Sequence, residues 1–225
     1  MRKLKWGILA TGSIARTFAR ALKQASNGEL FAVGSRSEQS AEKFAAEHQA
    51  PRYYGSYQQL LDDPDVDAVY ICPPHPMHHE WVIKAAQAKK HILCEKPFVL
   101  TGAQAVEVWD LAASSGATIT EAFMYRHHPA ITRIDGLLDA RSLGAIDHVR
   151  ASFTYVNLAS ELGIDPKDPH RPWRFRADQG GGALYDIGAY AINACTHVAA
   201  SVPTRVAAFG RPANEFGTSD KIMGL

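Results

Sequence analysis

Trp6-Gly7-Ile8-Leu9-Ala10-Thr11-Gly12-Ser13-Ile14-Ala15 reads as a short apolar strand that passes through a tight turn into a helix. Trp6–Ala10 shows no polar alternation, the pattern of a strand covered on both faces. Gly12 lets backbone N–H groups approach an anion, and the following helix turns its positive end to the same place. The stretch matches the dinucleotide pattern G-x-G-x-x-A, with Ala10 in place of the first glycine. Taken alone, such a match is also met in tight turns that hold no ligand. Its position on the first strand of a parallel sheet favours a pyrophosphate held by Ala10, Thr11, Gly12, Ser13 and Ile14.

Outward from this turn, apolar runs recur at Leu30–Gly34, Ala68–Cys72, His91–Cys94 and Thr118–Thr120, with a short strand at Arg52–Tyr54. Helical patterns lie between them near Ile14–Gln24, Ser37–His48, Tyr57–Leu61, His78–Ala88 and Ala103–Ser114. Short buried strands alternating with helices predict an α/β fold with a doubly wound parallel sheet. The rhythm changes near Phe123–His128. A helix is expected over Pro129–Ala140, an alternating strand over Ala145–Asn157, an ordered loop over Leu158–Arg176, a helix over Ala183–Ala199 and a strand over Thr204–Gly210. The expected division is 1–123 for a dinucleotide-binding domain and 124–225 for a substrate and oligomerisation domain. The second is an incomplete α+β domain with a mainly antiparallel open sheet.

The chain has 225 residues and a formal net charge of +1, with no basic block beyond Arg2–Lys5, which argues against a nucleic-acid partner. No apolar run is long enough to span a membrane. Basic Arg2–Lys5 followed by apolar Trp6–Ala10 imitates a leader, but Gly12, Ser13 and Arg16 break the run, so a buried strand is the better reading. Cys72, Cys94 and Cys195 are too few and scattered for a disulfide frame, which fits reduced thiols and a cytoplasmic location.

Three further stretches carry chemistry. The second strand ends Val33-Gly34-Ser35-Arg36-Ser37, where an NAD-selective site has Asp or Glu for the ribose 2′-hydroxyl. Ser35 and Arg36 suit a 2′-phosphate instead, so NADP is expected, with NAD as the alternative. A surface arginine beside a helix capped by Ser37, with Ser40 at the third position, is compatible with that role. Cys72-Pro73-Pro74-His75-Pro76-Met77-His78-His79 leaves a strand and enters a helix. Its histidines are poorly spaced for a metal, so no metal is expected. Cys72, Pro73, Pro74, His75 and His78 are read as meeting cofactor or water. Glu95-Lys96-Pro97 follows the strand His91–Cys94, which puts an ammonium group at the sheet's carboxyl edge. There a lysine can orient a hydroxyl and favour its ionisation.

Gly180-Gly181-Gly182-Ala183-Leu184-Tyr185-Asp186-Ile187-Gly188-Ala189-Tyr190 is the densest signal of the second half. Asp186 and Tyr190 stand four apart, on one face of the expected helix. A phenol is a poor proton exchanger unless a nearby cation favours its phenolate. On these residues alone, a packed tyrosine and a surface aspartate are the slightly better reading, because each residue type is common.

In this order, Trp6–Ala15, Val69–Glu80, Glu95–Phe98, Glu121–Arg126 and Gly180–Tyr190 resemble the glucose–fructose oxidoreductase / inositol dehydrogenase (Gfo/Idh/MocA) family, from Lys5 to about Gly210. The resemblance implies a Rossmann domain, then an open-sheet domain, and NAD- or NADP-dependent chemistry on a small sugar, cyclitol or diol. It implies that Lys96 lies beside nicotinamide and substrate, with Glu95 next to it, and that Asp186 binds substrate. Many members have histidine where Tyr190 stands; a tyrosine there looks like the dihydrodiol dehydrogenase, xylose dehydrogenase and glucose–fructose oxidoreductase branch, and implies that Tyr190 exchanges the hydroxyl proton. Arg126, Trp173 and Arg174 match positions near cofactor and cleft. The family's further strands would floor the cleft and form a homo-oligomer interface; this chain stops at Lys221–Leu225. Two other readings on the same fold stay open: a non-catalytic dinucleotide-binding regulator or truncated, inactive relative, and an NAD-dependent glycosidase.

Overall fold

The computed structural model describes residues 2–154, 163–210, 215–219 and 221–224. They divide into two compact units, Met1–Ala122 and Phe123–Leu225.

The first unit is a six-stranded, wholly parallel sheet. Its strands are β1 Leu4–Leu9, β2 Gly28–Gly34, β3 Arg52–Tyr54, β4 Ala68–Ile71, β5 His91–Glu95 and β6 Ile119–Ala122, in the spatial order β3-β2-β1-β4-β5-β6. The connecting helices are α1 Ser13–Leu22, α2 Glu38–His48, α3 Tyr57–Leu61, α4 His78–Gln87 and α5 Gly102–Ser115. The inner stretches of the central strands, Gly7–Leu9, Ala32–Val33 and Ala68–Ile71, are apolar because both faces are covered. Ile8, Val33 and Tyr70 point to one side, where they pack with Ala15 and Ala19 of α1 and Phe44 of α2. Their neighbours Leu9, Ala32, Val69 and Ile71 point to the other, against Leu60 of α3, Val82 of α4 and Val108 of α5. Each large side chain buried this way contributes about 1.5–3 kcal/mol. Strand order reverses at β1, whose neighbours are β2 and β4, so a crevice opens beyond the tips of β1 and β4.

Helix starts follow local chemistry. Ser37 Oγ accepts from the Ser40 N–H at 3.3 Å and caps α2 as expected. Ser56 caps α3, and Thr101 with Gln104 forms a reciprocal box at α5.

In the second unit a 3-10 turn, Met124–His127, leads into α6, Pro129–Asp139, which has Pro129 at its first turn. Two further 3-10 turns, Trp173–Phe175 and Ala177–Gln179, precede the glycine run. The helix expected over Ala183–Ala199 is two pieces: a π-helical turn, Leu184–Gly188, runs directly into α7, Ala189–Ala199. The expected strand over Ala145–Asn157 is corrected: residues 145–154 are not in a strand, and 155–157 lie outside the described residues. An alternating pattern needs a hydrogen-bonding neighbour to become a strand, and among the described residues none pairs with it. The expected strand Thr204–Gly210 shortens to β7, Ala208–Gly210, antiparallel to β8, Ile222–Gly224, which the pattern did not announce. Of the expected loop 158–176, residues 158–162 lie outside the described residues. No helix among the described residues is long and apolar enough to cross a membrane.

Candidate functional site

The turn after β1 is shaped by its backbone. Ala10 has φ +103°, a region that favours glycine, and its N–H donates to the Gly34 carbonyl at 2.9 Å. Gly12 is the N-cap of α1 and offers no side-chain acceptor to the helix's first N–H groups, unlike the serines and threonine that cap α2, α3 and α5. A Cβ built on Gly12 would meet no protein atom within 4 Å. Gly12, Ser13 and Ile14 are exposed, and Thr11 is half-buried. A bare, positively polarised helix end at the switch point, reached over a residue without a side chain, fits a dinucleotide's pyrophosphate.

At the tip of β2, buried Ser35 turns its Oγ to the Ser37 N–H at 3.3 Å, so its hydroxyl shapes the turn. Arg36 is exposed, and its positive charge acts on the buried Tyr57 phenol. Burial raises the Tyr57 pKa and this guanidinium opposes the rise. The tip holds no carboxylate and carries one solvent-facing cation.

The tips of β4 and β5 are fastened together. The Cys72 thiol donates to the Leu9 carbonyl at 3.2 Å. Burial pushes the Cys72 and Cys94 thiols well up, with Glu95 adding to it, so neither is a nucleophile. Pro73, His75 and Pro97 are buried; Pro74 and Lys96 are half-buried. The peptide bond before Pro97 is cis. Four consecutive residues of this loop are held. Tyr70 Oη donates to Glu95 Oε1 at 2.5 Å, and Glu95 Oε2 accepts from the Lys96 N–H at 3.2 Å. The Pro97 carbonyl meets His78 Nδ1 at 2.8 Å, and the Phe98 N–H donates to Glu121 Oε1 at 2.9 Å. Burial raises the carboxyl pKa of both Glu95 and Glu121; the Tyr70 phenol partly offsets it for Glu95 and the Phe98 amide for Glu121. Burial, then the Glu95 charge, raises the Tyr70 phenol. One expectation is corrected: the His78 ring does not face cofactor or water but is wholly buried, with Nε2 2.9 Å from the Pro73 carbonyl.

In the second unit the glycine run wraps the turn before it. A Cβ on Gly181 would stand 2.5 Å from the Trp173 carbonyl oxygen and 2.7 Å from those of Arg174 and Arg176. The run's N–H groups reach back: Gly181 to Arg176 at 2.9 Å and Gly182 to Arg174 at 3.0 Å. This brings Arg174 Nε to within 3.0 Å of Asp186 Oδ2, while its guanidinium lies 4.5 Å over the Trp173 ring. Asp186 is 8 % exposed, in the π-helical turn. The wider turn changes the expected one-face spacing to Tyr190, the second residue of α7. Tyr190 sits among Phe123, Tyr125 and Phe153, at ring centroid distances of 5.7, 6.1 and 5.4 Å. Its hydroxyl approaches the Met124 sulfur at 3.4 Å. Arg126 Nη2 donates to His197 Nδ1 at 3.0 Å; a guanidinium only donates, so His197 Nε2 carries the proton that Asp135 accepts at 2.8 Å.

A model of the oxidoreductase family with the NAD-binding Rossmann fold matches residues 4–123, more than half of the chain, and a Gfo/Idh/MocA C-terminal domain model matches residues 131–225. The chain belongs to the Gfo/Idh/MocA family. D-xylose 1-dehydrogenase (NADP(+)) 2 of Haloferax volcanii is 35% identical over 224 residues, covering 99% of this chain and 65% of that protein. Trans-1,2-dihydrobenzene-1,2-diol dehydrogenase of Xenopus tropicalis is 35% identical over 196 residues, 86% of this chain and 56% of its own length. Among solved structures, an NAD binding oxidoreductase from Klebsiella pneumoniae superposes with a TM-score of 0.87 at 26% identity, over 99% of this chain and 62% of that one. A 3-ketoreductase from Actinomadura kijaniata, in complex with NADP and TDP-benzene, gives 0.73 at 33% identity, over 88% and 57%. The chain thus spans between half and two thirds of the length of these Gfo/Idh/MocA relatives.

Within the first unit of this family member, the structure brings the dinucleotide turn, Ser35–Arg36 and the Cys72–His75 and Glu95–Pro97 loops to one edge of the sheet. Within the second it brings Trp173, Arg174 and Asp186 together, and Tyr190 into an aromatic cluster. Sequence reasoning missed Tyr70, Glu121 and Tyr57 as supports. The available signal was a polar atom inside an apolar strand: Tyr70 in Val69-Tyr70-Ile71, and Glu121 in Ile119-Thr120-Glu121-Ala122.

Proposed function

We propose that this chain carries the working residues of an NADP-dependent oxidoreductase, one that passes hydride between the nicotinamide and the carbon of a CH–OH group in a sugar, cyclitol or vicinal diol. The observation that carries the reading is the cradle at Gly12, bare of side chains at a switch point, on the same sheet edge as a lysine whose loop is held at four successive residues.

When bound, the dinucleotide supplies or takes up the hydride. The chain's own residues do the rest. The α1 N-terminus and the N–H groups of residues 11–14 receive the pyrophosphate. Arg36 meets the 2′-phosphate, in keeping with the NADP named for the Haloferax and Actinomadura relatives. Lys96 orients the reacting hydroxyl and favours its ionisation. Tyr190 exchanges the proton, and Asp186, its charge balanced by Arg174, accepts from a neighbouring hydroxyl. Each acid–base role of this kind is worth about 10²–10⁴ in rate. The names of the xylose and dihydrodiol dehydrogenases among the relatives support a polyhydroxy substrate.

The test follows NADPH absorbance with the 225-residue chain against D-xylose, inositols and trans-diols, beside Lys96→Met and Tyr190→Phe. Turnover with one of these classes, lost in both variants while NADPH still binds, is the expected result. NADPH binding without turnover on any of them removes the enzyme reading.

A further inference from the structure

The His78 ring is fully buried, yet both of its nitrogens face carbonyl oxygens: Pro97 at 2.8 Å from Nδ1 and Pro73 at 2.9 Å from Nε2. A carbonyl oxygen accepts and never donates, so each contact is a hydrogen bond only when that nitrogen carries a proton. One N–H suffices to hold Pro97, the residue after Lys96. A second, present only on the imidazolium, holds Pro73 as well. The groups around the ring are His75 of the 3-10 turn His75–Met77, with ring centroids 5.6 Å apart, and the Lys96 ammonium from the loop after β5.

The geometry assigns His78 as a positioning residue for Lys96, the ring fastening the Pro97 carbonyl to the start of α4 so that the loops after β4 and β5 move as one piece. The ring touches neither the cradle nor solvent. It acts through the main chain of the lysine's neighbour. Glu95 and Glu121 accept from N–H groups of the loop, Tyr70 donates to Glu95, and the Cys94 thiol reaches the Glu95 and Phe98 carbonyls; His78 engages the Pro97 carbonyl, so its loss leaves that buried acceptor unmet.

Two variants separate this role from ordinary packing. In His78→Asn an amide N–H can stand where Nδ1 stood, the same number of bonds from Cα. In His78→Gln it can stand only where Nε2 stood, and the Pro97 contact is lost. Amide hydrogen exchange is read at Lys96 and Phe98, with Val33 of β2 as the control. Exchange at Lys96 and Phe98 should rise about fivefold to tenfold in the Gln variant, stay within about threefold of wild type in the Asn variant, and not change at Val33. The inference is overturned if the Gln variant leaves Lys96 and Phe98 unchanged, if both variants behave alike, or if Val33 rises with them. A kinetic arm rests on the hydride-transfer reading: kcat should fall in the Gln variant and recover in the Asn variant, with KM for NADPH unchanged. A wild-type chain without turnover would remove that reading and leave the exchange result to decide the role of His78.

Discussion

Gly12→Ala separates what the turn does for the fold from what it does for a ligand. Gly12 has φ −70° and ψ −177°, extended backbone open to any residue, and its added Cβ would meet nothing within 4 Å. Alanine at an N-cap costs about 0.5–1 kcal/mol relative to glycine, and the stiffer unfolded chain returns about 0.4–1 kcal/mol. The melting temperature should therefore stay within about 2 °C. The methyl group fills the space through which a pyrophosphate must come to reach the α1 N–H groups. Losing one charge-assisted hydrogen bond costs about 1.5–3 kcal/mol, or about 10- to 150-fold in Kd. The assay is a fluorescence titration of NADPH on wild type and variant, paired with thermal unfolding of each. An unchanged Kd would refute the cradle. A large fall in melting temperature would show that Gly12 serves the fold.

Arg36→Ala should weaken NADPH by about 10- to 150-fold and leave NADH nearly unaltered, since the lost contact is one charge-assisted pair; calorimetry with both cofactors checks it, and an unchanged NADPH preference counts against the arginine. Gly181→Ala drives a methyl group into three carbonyl oxygens at 2.5–2.7 Å and breaks the hydrogen bonds of Gly181 and Gly182, so a loss of about 1–3 kcal/mol is expected in urea unfolding. A variant as stable as wild type would mean that the turn at 173–176 yields easily. Burial, opposed by the two carbonyl contacts and aided by the Lys96 charge, lowers the His78 pKa below 6.5. A folded pKa below the unfolded one means that His78 contributes stability above about pH 6.5, which is lost as pH falls through the folded value. Unfolding midpoints at pH 7.5 and 5 should therefore diverge more in wild type than in His78→Gln, and equal divergence would contradict the assignment.

What could be read from the chain and what could not divides by distance along it. Ser37 and Ser40 are three residues apart, so the cap on α2 was legible. The alternation of apolar runs and helices was legible because a sheet covered on both faces needs strands without polar alternation, and Ile8 and Leu9 each find a core on their own side. The fastening of the Lys96 loop was not, because Glu95, Pro97 and Phe98 are held from 25, 19 and 23 residues away. Nothing local tells a structural Glu121 from a surface one. Gly180–Gly182 stood out in the chain as a run before a helix, without pointing to the carbonyls of Trp173, Arg174 and Arg176 that it packs on, and so the Arg174–Asp186 pair stayed hidden. The strand expected at 145–157 shows the opposite failure: alternation is a property of the segment, whereas a strand is a property of a pair.

The thioether beside Tyr190 has a chemical consequence. Cys72 and Cys94 are buried and held as thiols, closed to peroxide, whereas Met124 is 65% exposed. Oxidative wear on this protein would reach Met124 before either of those cysteines. A sulfoxide oxygen accepts a hydrogen bond far better than sulfur does, so the phenol that now rests 3.4 Å from the Met124 sulfur would be drawn to a stronger acceptor. Ageing of a preparation would thus show at the tyrosine of the proposed site while its buried thiols still count as intact, and a thiol assay would certify material whose phenol is already engaged elsewhere.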